Sequence, residues 1–189
     1  MTKKATHPER ALEAAAETVG RTLGRTTAVL ADHLPWTRGS DGLDLLERDH
    51  RRLEALLKQA VETDAAPLTD RKAILEQFAT ELLAHEQIEA KVLYPVLKSH
   101  AEAKDIVLEG YQEHHVADVL MEELQELPPS DERWGAKLEV LQESLEHHIE
   151  EEEGEMFKTA RSVMSPEQLA DVGARMEAMK EELAGRTSP

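Results

Sequence analysis

Apolar residues recur along the chain at alternating steps of three and four, the spacing of one face of an α-helix. Four such stripes stand between clusters of glycine and proline: Leu43, Leu46, His50, Leu53, Leu57 and Ala60; Leu75, Phe78, Leu82, His85, Glu89, Val92 and Val96; Val107, Gly110, His114, Ala117, Met121 and Leu124; Leu138, Leu141, Leu145, His148 and Glu152. No segment alternates with period two over a convincing length, so no sheet is expected. Four helices with short connections predict an all-α, up-down-up-down four-helix bundle.

Two further segments flank the predicted bundle. Residues 9–31 predict an extra amphipathic helix within an N-terminal extension, residues 1–40. Pro166 is typical of a first helical position and predicts a short C-terminal helix over residues 166–184. We therefore divide the chain into the extension 1–40, the bundle 41–162 and the C-terminal helix and tail 163–189. Pro95 falls inside the second stripe, so that helix is expected to kink there or to stop and restart.

Composition restricts the classes of function. The 189 residues carry 22 Lys and Arg against 39 Asp and Glu, a net charge of −17, which repels nucleic-acid phosphates and anionic membranes. There is no cysteine, which excludes disulfides, thiolate zinc sites and iron–sulfur clusters. No apolar run approaches the roughly 18 residues that cross a bilayer, and the first residues lack the apolar stretch of a secretory signal. We expect a cytoplasmic protein that binds neither nucleic acid nor membrane.

Each stripe contains one histidine where a leucine would normally face the core. Two of these histidines are followed four residues later by a glutamate, His85 by Glu89 and His148 by Glu152. Residues four apart lie about 6 Å apart on one helix face, so both members of each pair are expected to point into the bundle. Two buried carboxylates require compensating positive charge, and no lysine or arginine falls on the stripes. Metal cations would supply that charge.

The candidate ligands form an internal repeat. His50 precedes His85 by 35 residues, and His114 precedes His148 by 34. The aromatic residues nine positions after the histidine of each His-x-x-x-Glu motif repeat as well: Tyr94 and Phe157. Two hairpins related by a pseudo-two-fold axis would bring four histidines and two glutamates to one level. Two histidines per ion with shared glutamates suggest two metal ions, and iron, manganese and zinc all suit these donors.

Four segments together resemble a known family. They are Asp49-His50, His85–Pro95, Glu113–His115 and His147–Phe157. As a set they are similar to the hemerythrin-like HHE cation-binding domain, over about residues 43–160. The resemblance implies a four-helix bundle with an oxo- or hydroxo-bridged centre of two iron ions. By position it implies six metal ligands: His50, His85, Glu89, His114, His148 and Glu152.

The pattern departs from the oxygen-carrying hemerythrins, which use five histidines where four lie on these stripes. A carboxylate, a water or a tyrosine is expected in place of the missing nitrogen. Asp118, four residues after His114, is a better candidate than Glu54, and both otherwise belong to a solvated helix face. Tyr111 is placed either to hydrogen-bond a bound oxygen species or to fill the edge of the core.

Two histidine doublets leave a choice of ligand. The stripe favours His114 over His115, and the spacing to the repeated aromatic residue favours His148 over His147. The two neighbours are assigned to the surroundings of the site or to solvent. The acidic run 150–153 is expected on a solvated face, apart from Glu152.

The family resemblance implies a di-iron protein that binds or reduces oxygen, nitric oxide or hydrogen peroxide, in oxidative or nitrosative stress. Neutral small molecules also suit a chain of charge −17. The alternative is a non-catalytic iron-binding, iron-donating or oxygen-sensing protein that acts through its N-terminal helix. The same helix is a candidate for forming a homodimer.

Overall fold

The helices follow one another without a strand in the described part of the chain. A computed structural model describes residues 41–62 and 68–187. The elements are α1 (Gly42–Glu62), α2 (Leu68–Ile88), the π-helical turn π1 (Glu89–Leu93), α3 (Tyr94–Leu97), a 3-10 turn (Ala101–Ala103), α4 (Lys104–Glu126), α5 (Glu132–Glu151), the π-helical turn π2 (Glu152–Met156), α6 (Phe157–Val163) and α7 (Pro166–Thr187). The predicted extension 1–40, with its amphipathic helix at 9–31, lies outside the described residues.

Side-chain contacts show that neighbouring helices of the bundle run in opposite directions. Asp41, at the start of α1, binds Arg161 in α6, whereas Arg51, in the middle of α1, binds Glu153 in π2. Helices α1 and α2 show the same reversal in the pairs Arg52–Glu81 and His50–His85. Helices α4 and α5 show it in Lys137–Glu123 and His148–Glu113. The segment π1–α3 and helix α4 show it in Tyr94–Tyr111 and Glu89–His114. The predicted up-down-up-down bundle is confirmed.

Polar side chains cap three of the helices. Asp41 Oδ1 accepts hydrogen bonds from the backbone N–H groups two and three residues later, at 2.9 and 3.1 Å. Asp131 accepts the N–H two residues later at 2.9 Å and begins α5. Ser165 and Gln168 bond each other's backbone N–H groups at the start of α7, with Pro166 as its first residue. Each cap satisfies N–H groups that have no partner inside the helix.

The interior consists of two apolar clusters separated by the level of the predicted ligands. One cluster includes Leu46, Val92, Val107 and Met156. The other includes Leu53, Leu82, Ala117 and Leu145. Each stripe therefore has residues in both clusters, and its histidine lies between them. In two stripes the glutamate lies at the same level. The polar level is enclosed between the two clusters, which lowers the local dielectric and strengthens electrostatic interactions there.

The C-terminal helix α7 is a fifth long helix beside the four of the bundle. It extends to Thr187 and packs against α1, α2 and π1. It crosses α1 where Gly173 faces Gly42, and a Cβ on Gly173 would lie 2.9 Å from the Gly42 nitrogen. Glycine at this crossing permits the close approach of the two backbones. No helix within the described ranges combines the length and apolar character needed to cross a membrane.

Candidate metal centre

Both predicted glutamates begin a π-helical turn. Glu89 begins π1, at the end of α2, and Glu152 begins π2, at the end of α5. In the first case the α-helix stops at Ile88 and restarts as α3 with Pro95 in its first turn, one of the two outcomes expected for that proline. Because π2 contains no proline, Pro95 is not the common cause. The shared feature is the buried glutamate, and π-helical turns inside α-helices often mark functional sites.

The four histidines form two pairs with nearly the same geometry. The rings of His50 and His85 have centroids 4.8 Å apart and an interplanar angle of 72°. The rings of His114 and His148 are 4.9 Å apart at 70°. All four side chains are buried, whereas the neighbours His115 and His147 are exposed. The structure thus brings together the member of each doublet that the spacing favours.

The two glutamates lie between the histidine pairs. Glu89 Oε2 is 3.4 Å from His85 Nε2 and 3.1 Å from His114 Nε2. Glu152 Oε2 is 3.2 Å from His50 Nε2 and 3.6 Å from His148 Nε2. Each carboxylate therefore connects one histidine of each pair, as a ligand shared between two ions would.

The outer nitrogens of three of the four histidines face carboxylates. His50 Nδ1 lies 2.8 Å from Glu153 Oε1, and His148 Nδ1 lies 2.8 Å from Glu113 Oε2. His85 Nδ1 faces Asp49 Oδ2 at 3.8 Å. A carboxylate at Nδ1 fixes the tautomer that leaves the Nε2 lone pair for a metal, and such groups commonly surround metal-binding histidines.

The two aromatic residues of the repeat stack on histidines from opposite pairs. Phe157 stacks on His50 with centroids 6.0 Å apart, and Tyr94 stacks on His114 at 5.5 Å. The Tyr94 hydroxyl also donates to Glu152 Oε1 at 2.8 Å and lies 3.4 Å from His114 Nε2. Burial, together with Glu152 and Glu89, raises the pKa of Tyr94, so the hydroxyl is protonated and acts as a donor.

Electrostatics at this level favour a cation. Burial lowers the pKa of His85 to about 4 and holds that of His114 well below its ordinary value, so both rings are neutral and able to bind a metal. Burial and repulsion from Glu152 raise the pKa of Glu89 far above its ordinary value. Burial opposes ionisation of Glu152 too, but His148 and His50 lower its pKa. A cation between the two carboxylates would remove their repulsion.

Several buried atoms of the cluster have no hydrogen-bond partner. They are His50 Nε2, His85 Nδ1 and Nε2, both oxygens of Glu89, and Glu152 Oε2. Buried polar atoms are almost always satisfied, so a group of them pointing at each other indicates a bound species. Imidazole nitrogens with carboxylate oxygens are a donor set typical of non-haem iron and also suit manganese and zinc. The residues therefore fit a metal centre.

The donors divide into two unequal groups. Ligand atoms of His50, His85, Glu89 and Glu152 all lie within 4.8 Å of one another, and we call this group the first ion position. Atoms of Glu89, His114 and His148 form the second ion position. Glu89 belongs to both. Glu152 Oε2, a member of the first group, also lies 3.6 Å from His148 Nε2 in the second.

Sequence profiles decide the family. The profile described as the Hemerythrin HHE cation binding domain matches residues 41–160. The chain belongs to this hemerythrin family. The predicted resemblance is confirmed, and the match covers the bundle from the cap of α1 to α6.

Two relatives of this chain carry different names. A protein named DNA nickase from Nostoc is 27% identical over 153 residues, and the chain spans 43% of its length. An uncharacterised hemerythrin-like protein from Schizosaccharomyces pombe is 25% identical over 151 residues, and here the chain spans 72% of the length. The two matches cover 79% and 77% of this chain.

A solved structure supports the hemerythrin fold. The crystal structure of a hemerythrin HHE cation-binding domain-containing protein from Mycobacterium kansasii superposes with a TM-score of 0.68 and 24% identity. The match covers 77% of this chain and 88% of that one. At this level of identity the likeness shows a shared fold.

Outside the six predicted ligands, the structure places the candidates as follows. Asp118 faces buried Glu86 rather than the hemerythrin centre, and burial and Asp118 together raise the pKa of Glu86. Glu54 binds Arg51 at the surface, as expected for a solvated face. Tyr111 donates to the backbone carbonyl of Ala90 at 3.2 Å.

Sequence reasoning assigned no role to the side chains that contact the predicted ligands: Asp49, Tyr94, Glu113 and Glu153. Glu153, assigned to the solvated face, binds His50 across a separation of 103 residues. Tyr94 was noted as a repeated aromatic residue but not as a hydrogen-bond donor to Glu152. The repeat contained the signal for Tyr94, because the equivalent residue Phe157 lacks a hydroxyl.

Proposed function

We propose that this protein is a non-haem di-iron protein that binds or reduces a small molecule, namely oxygen, nitric oxide or hydrogen peroxide. The observation that carries the proposal is the buried set of four Nε2 atoms and two carboxylates, several without partners. Family membership supports iron over manganese or zinc at this donor set. The proposed ligands are the six predicted ones: His50, His85, Glu89, His114, His148 and Glu152.

The protein's own groups would prepare the iron ions for this chemistry. Iron supplies the electrons and the open coordination positions when bound. Neutral His85 and His114 offer their lone pairs, and the carboxylates of Glu153 and Glu113 hold the rings of His50 and His148 in place. The two apolar clusters limit the entry of water and charged species. A neutral diatomic or peroxide molecule enters such a site more easily than an anion in a chain of charge −17.

Oxidative or nitrosative stress is the proposed setting, because the candidate ligands are the agents of such stress. A cytoplasmic location and a homodimer formed through the segment 9–31 stay predictions. The net charge of −17 on this chain opposes the binding to DNA that a nickase activity, named for the Nostoc relative, would require.

A second candidate is a non-catalytic iron-binding, iron-donating or oxygen-sensing protein. The observation that favours sensing is a connection from the centre to α7. Lys180 Nζ binds both oxygens of Asp49 at 2.5 and 2.6 Å, and Asp49 faces His85. A change at the first ion position would therefore reach α7 through two side chains. The predicted route through the N-terminal helix concerns residues outside those described.

Metal analysis with an optical spectrum tests the proposal. Protein produced in iron-supplemented medium should contain about two irons per chain. Its near-ultraviolet charge-transfer bands should change on addition of peroxide or nitric oxide. His114→Ala should lose iron, whereas the matched change of its exposed neighbour, His115→Ala, should not. Turnover kinetics would then separate an enzyme from a sensor or a store. Absence of metal, or a single zinc without redox chemistry, would overturn the proposal.

A further inference from the structure

Two carboxylates of the repeat connect the candidate centre to the outside of the bundle. Asp49 and Glu113 occupy equivalent positions, each immediately before the first histidine of its hairpin. Asp49 Oδ2 lies 3.8 Å from His85 Nδ1, and Glu113 Oε2 lies 2.8 Å from His148 Nδ1. Each carboxylate therefore faces a candidate ligand on its inner side and has an outer side that is free to meet another group.

The outer sides of the two carboxylates meet different groups. Lys180 Nζ, in α7, binds both oxygens of Asp49 at 2.5 and 2.6 Å. Helix α7 packs against α1, α2 and π1, on the side of the first ion position. Glu113 Oε1 instead lies 3.8 Å from Nε2 of His147, the exposed member of its doublet. The first hairpin thus meets a cation of the chain itself where the second presents an imidazole.

His147 also faces a second carboxylate. Glu151, four residues later at the end of α5, has its Oε1 3.5 Å from His147 Nε2. Ligand atoms of Glu113, His147 and Glu151 all lie within 4.8 Å of one another, and we call these three residues the outer cluster. Zinc binds such atoms at about 2.0–2.2 Å, which separates the ligands of a tetrahedral site by roughly 3.4 Å. The separations of 3.5 and 3.8 Å are close to this value.

The outer cluster differs chemically from a purely acidic patch. One imidazole nitrogen with two carboxylate oxygens suits Zn²⁺ and other divalent transition-metal ions, whereas Mg²⁺ prefers oxygen ligands. Two carboxylates around one neutral imidazole leave a local negative charge, which a divalent cation would neutralise. The His147 side chain is 63% exposed, so an ion from solvent can reach it directly.

We propose that Glu113, His147 and Glu151 form a third metal site, on the surface, which binds a divalent transition-metal ion and acts on the second ion position through Glu113. The ion stands to Glu113 as Lys180 stands to Asp49. It withdraws negative charge from the carboxylate that faces His148 Nδ1, which weakens the hold of that carboxylate on the ring. The site itself is independent of the proposed di-iron function, and only its effect on the second position rests on that function.

Equilibrium dialysis of the iron-loaded, full-length protein against Zn²⁺ tests the site, with iron and zinc measured in the same samples. The wild type should bind one further Zn²⁺ per chain with its iron content unchanged. His147→Ala should lose this zinc and keep its iron, because Glu113 meets His148 through its other oxygen. An excess of Mg²⁺ should not displace the zinc.

Three further variants separate the site from the general negative charge of the surface. Glu151→Gln keeps the size of the side chain and should lose the zinc. Glu150→Gln removes the neighbouring exposed carboxylate, and His115→Ala removes the exposed histidine of the other doublet. Both of these controls should bind zinc as the wild type does.

The effect on the second ion position is measured from the Mössbauer doublets of the two irons. Zinc should shift the doublet of one iron in the wild type and of neither iron in His147→Ala. An unchanged pair of doublets in zinc-bound wild type would overturn the effect through Glu113.

Two results would overturn the site while the di-iron proposal stands. Equal zinc binding by the wild type, His147→Ala and Glu151→Gln would place the ion elsewhere. Displacement of the zinc by Mg²⁺ would reduce the outer cluster to an acidic patch. Wild-type protein that binds no iron would instead overturn the proposed function, and the outer site would then be tested as a difference of one Zn²⁺ per chain between the wild type and His147→Ala.

Discussion

The two halves of the candidate centre share their donors and differ in what surrounds them. The histidine pairs have nearly equal ring separations, 4.8 and 4.9 Å. Phe157 and the carboxylate of Glu153 surround the first pair, whereas Tyr94 and the carboxylate of Glu113 surround the second. A repeated hairpin thus provides the donors twice, and single substitutions in their surroundings make the two positions unequal.

This difference predicts that the two positions respond to different substitutions. The first position is connected to α7 through Asp49 and Lys180. The second borders the phenol hydroxyl of Tyr94. Substitutions that act on one half and not on the other can break or refine this prediction.

The largest effect is expected for Glu89, which belongs to both groups of donor atoms. Glu89→Gln should abolish binding of both ions, whereas Glu152→Gln should weaken mainly the first. When the free metal concentration is 100 times the dissociation constant, loss of binding removes about 2.7 kcal/mol of stability. This corresponds to a decrease of roughly 5–10 °C in melting temperature. Iron analysis and thermal unfolding measure both quantities.

The same substitution provides an internal control. In chelator-treated protein, Glu89→Gln should raise the melting temperature, because it removes a buried carboxyl that Glu152 repels. The effect on stability therefore changes sign with metal. If both the Glu89 and the Glu152 variant had the iron content and melting temperature of the wild type, the two carboxylates would not be metal ligands.

The next effect concerns the carboxylates at the outer nitrogens. Glu153→Ala should weaken the first position, and Glu113→Ala the second, each by about 10–100-fold in metal affinity, because the histidine loses its orienting acceptor. Competition with a coloured chelator measures the two affinities. Glu155→Ala, an exposed carboxylate in the same π-helical turn as Glu153, is the matched control and should bind metal normally. Equal weakening of both positions by either variant would argue against separate halves.

A smaller effect is expected for Lys180, one residue further from the centre. Burial raises the pKa of Asp49, but the hydrogen bond from His85 and the charge of Lys180 lower it. The net effect is a lowered pKa. Lys180→Met removes that charge and should weaken the first position by less than about tenfold, with no change at the second. Competition with the coloured chelator, which yields two affinities, distinguishes the two positions. A weakened second position would mean that α7 acts on it as well.

The smallest effect on the centre is expected for the cap of α1. Asp41→Ala removes two capping hydrogen bonds and one of the carboxylates that bind Arg161, the other being Asp44, and should cost about 1 kcal/mol of stability. Thermal unfolding should show a decrease of roughly 2–4 °C. Iron content should match the wild type, because the cap touches neither ion position. A loss of iron would show that the centre depends on the register of α1.

The helical bundle and the identities of the clustered side chains were predictable from local sequence. Helical period alone placed His50, His85, His114 and His148 on interior faces, and the four-residue spacing did the same for Glu89 and Glu152. Capping residues such as Asp41 and Asp131 act within three residues, so they too can be identified along the chain. Metal binding by the six side chains stays a prediction until it is measured.

Contacts between distant helices were not predictable in this way. Glu153 meets His50 across 103 residues, and Tyr94 meets Glu152 across 58. The π-helical turns change the register of side chains within a helix, so a strict three-and-four pattern cannot assign the faces beyond them. Asp118 illustrates the limit: its spacing suggested a ligand, but in the bundle it faces Glu86.

The sequence by itself therefore established the family, the bundle and the six candidate donors, because each depends on periodicity and spacing within single helices. The unequal surroundings of the two ion positions arise only when the helices pack. The outer cluster forms because α4 lies beside α5, and Glu153 meets His50 because π2 lies beside α1. Such pairings depend on the relative rotation and register of neighbouring helices, which no local pattern encodes.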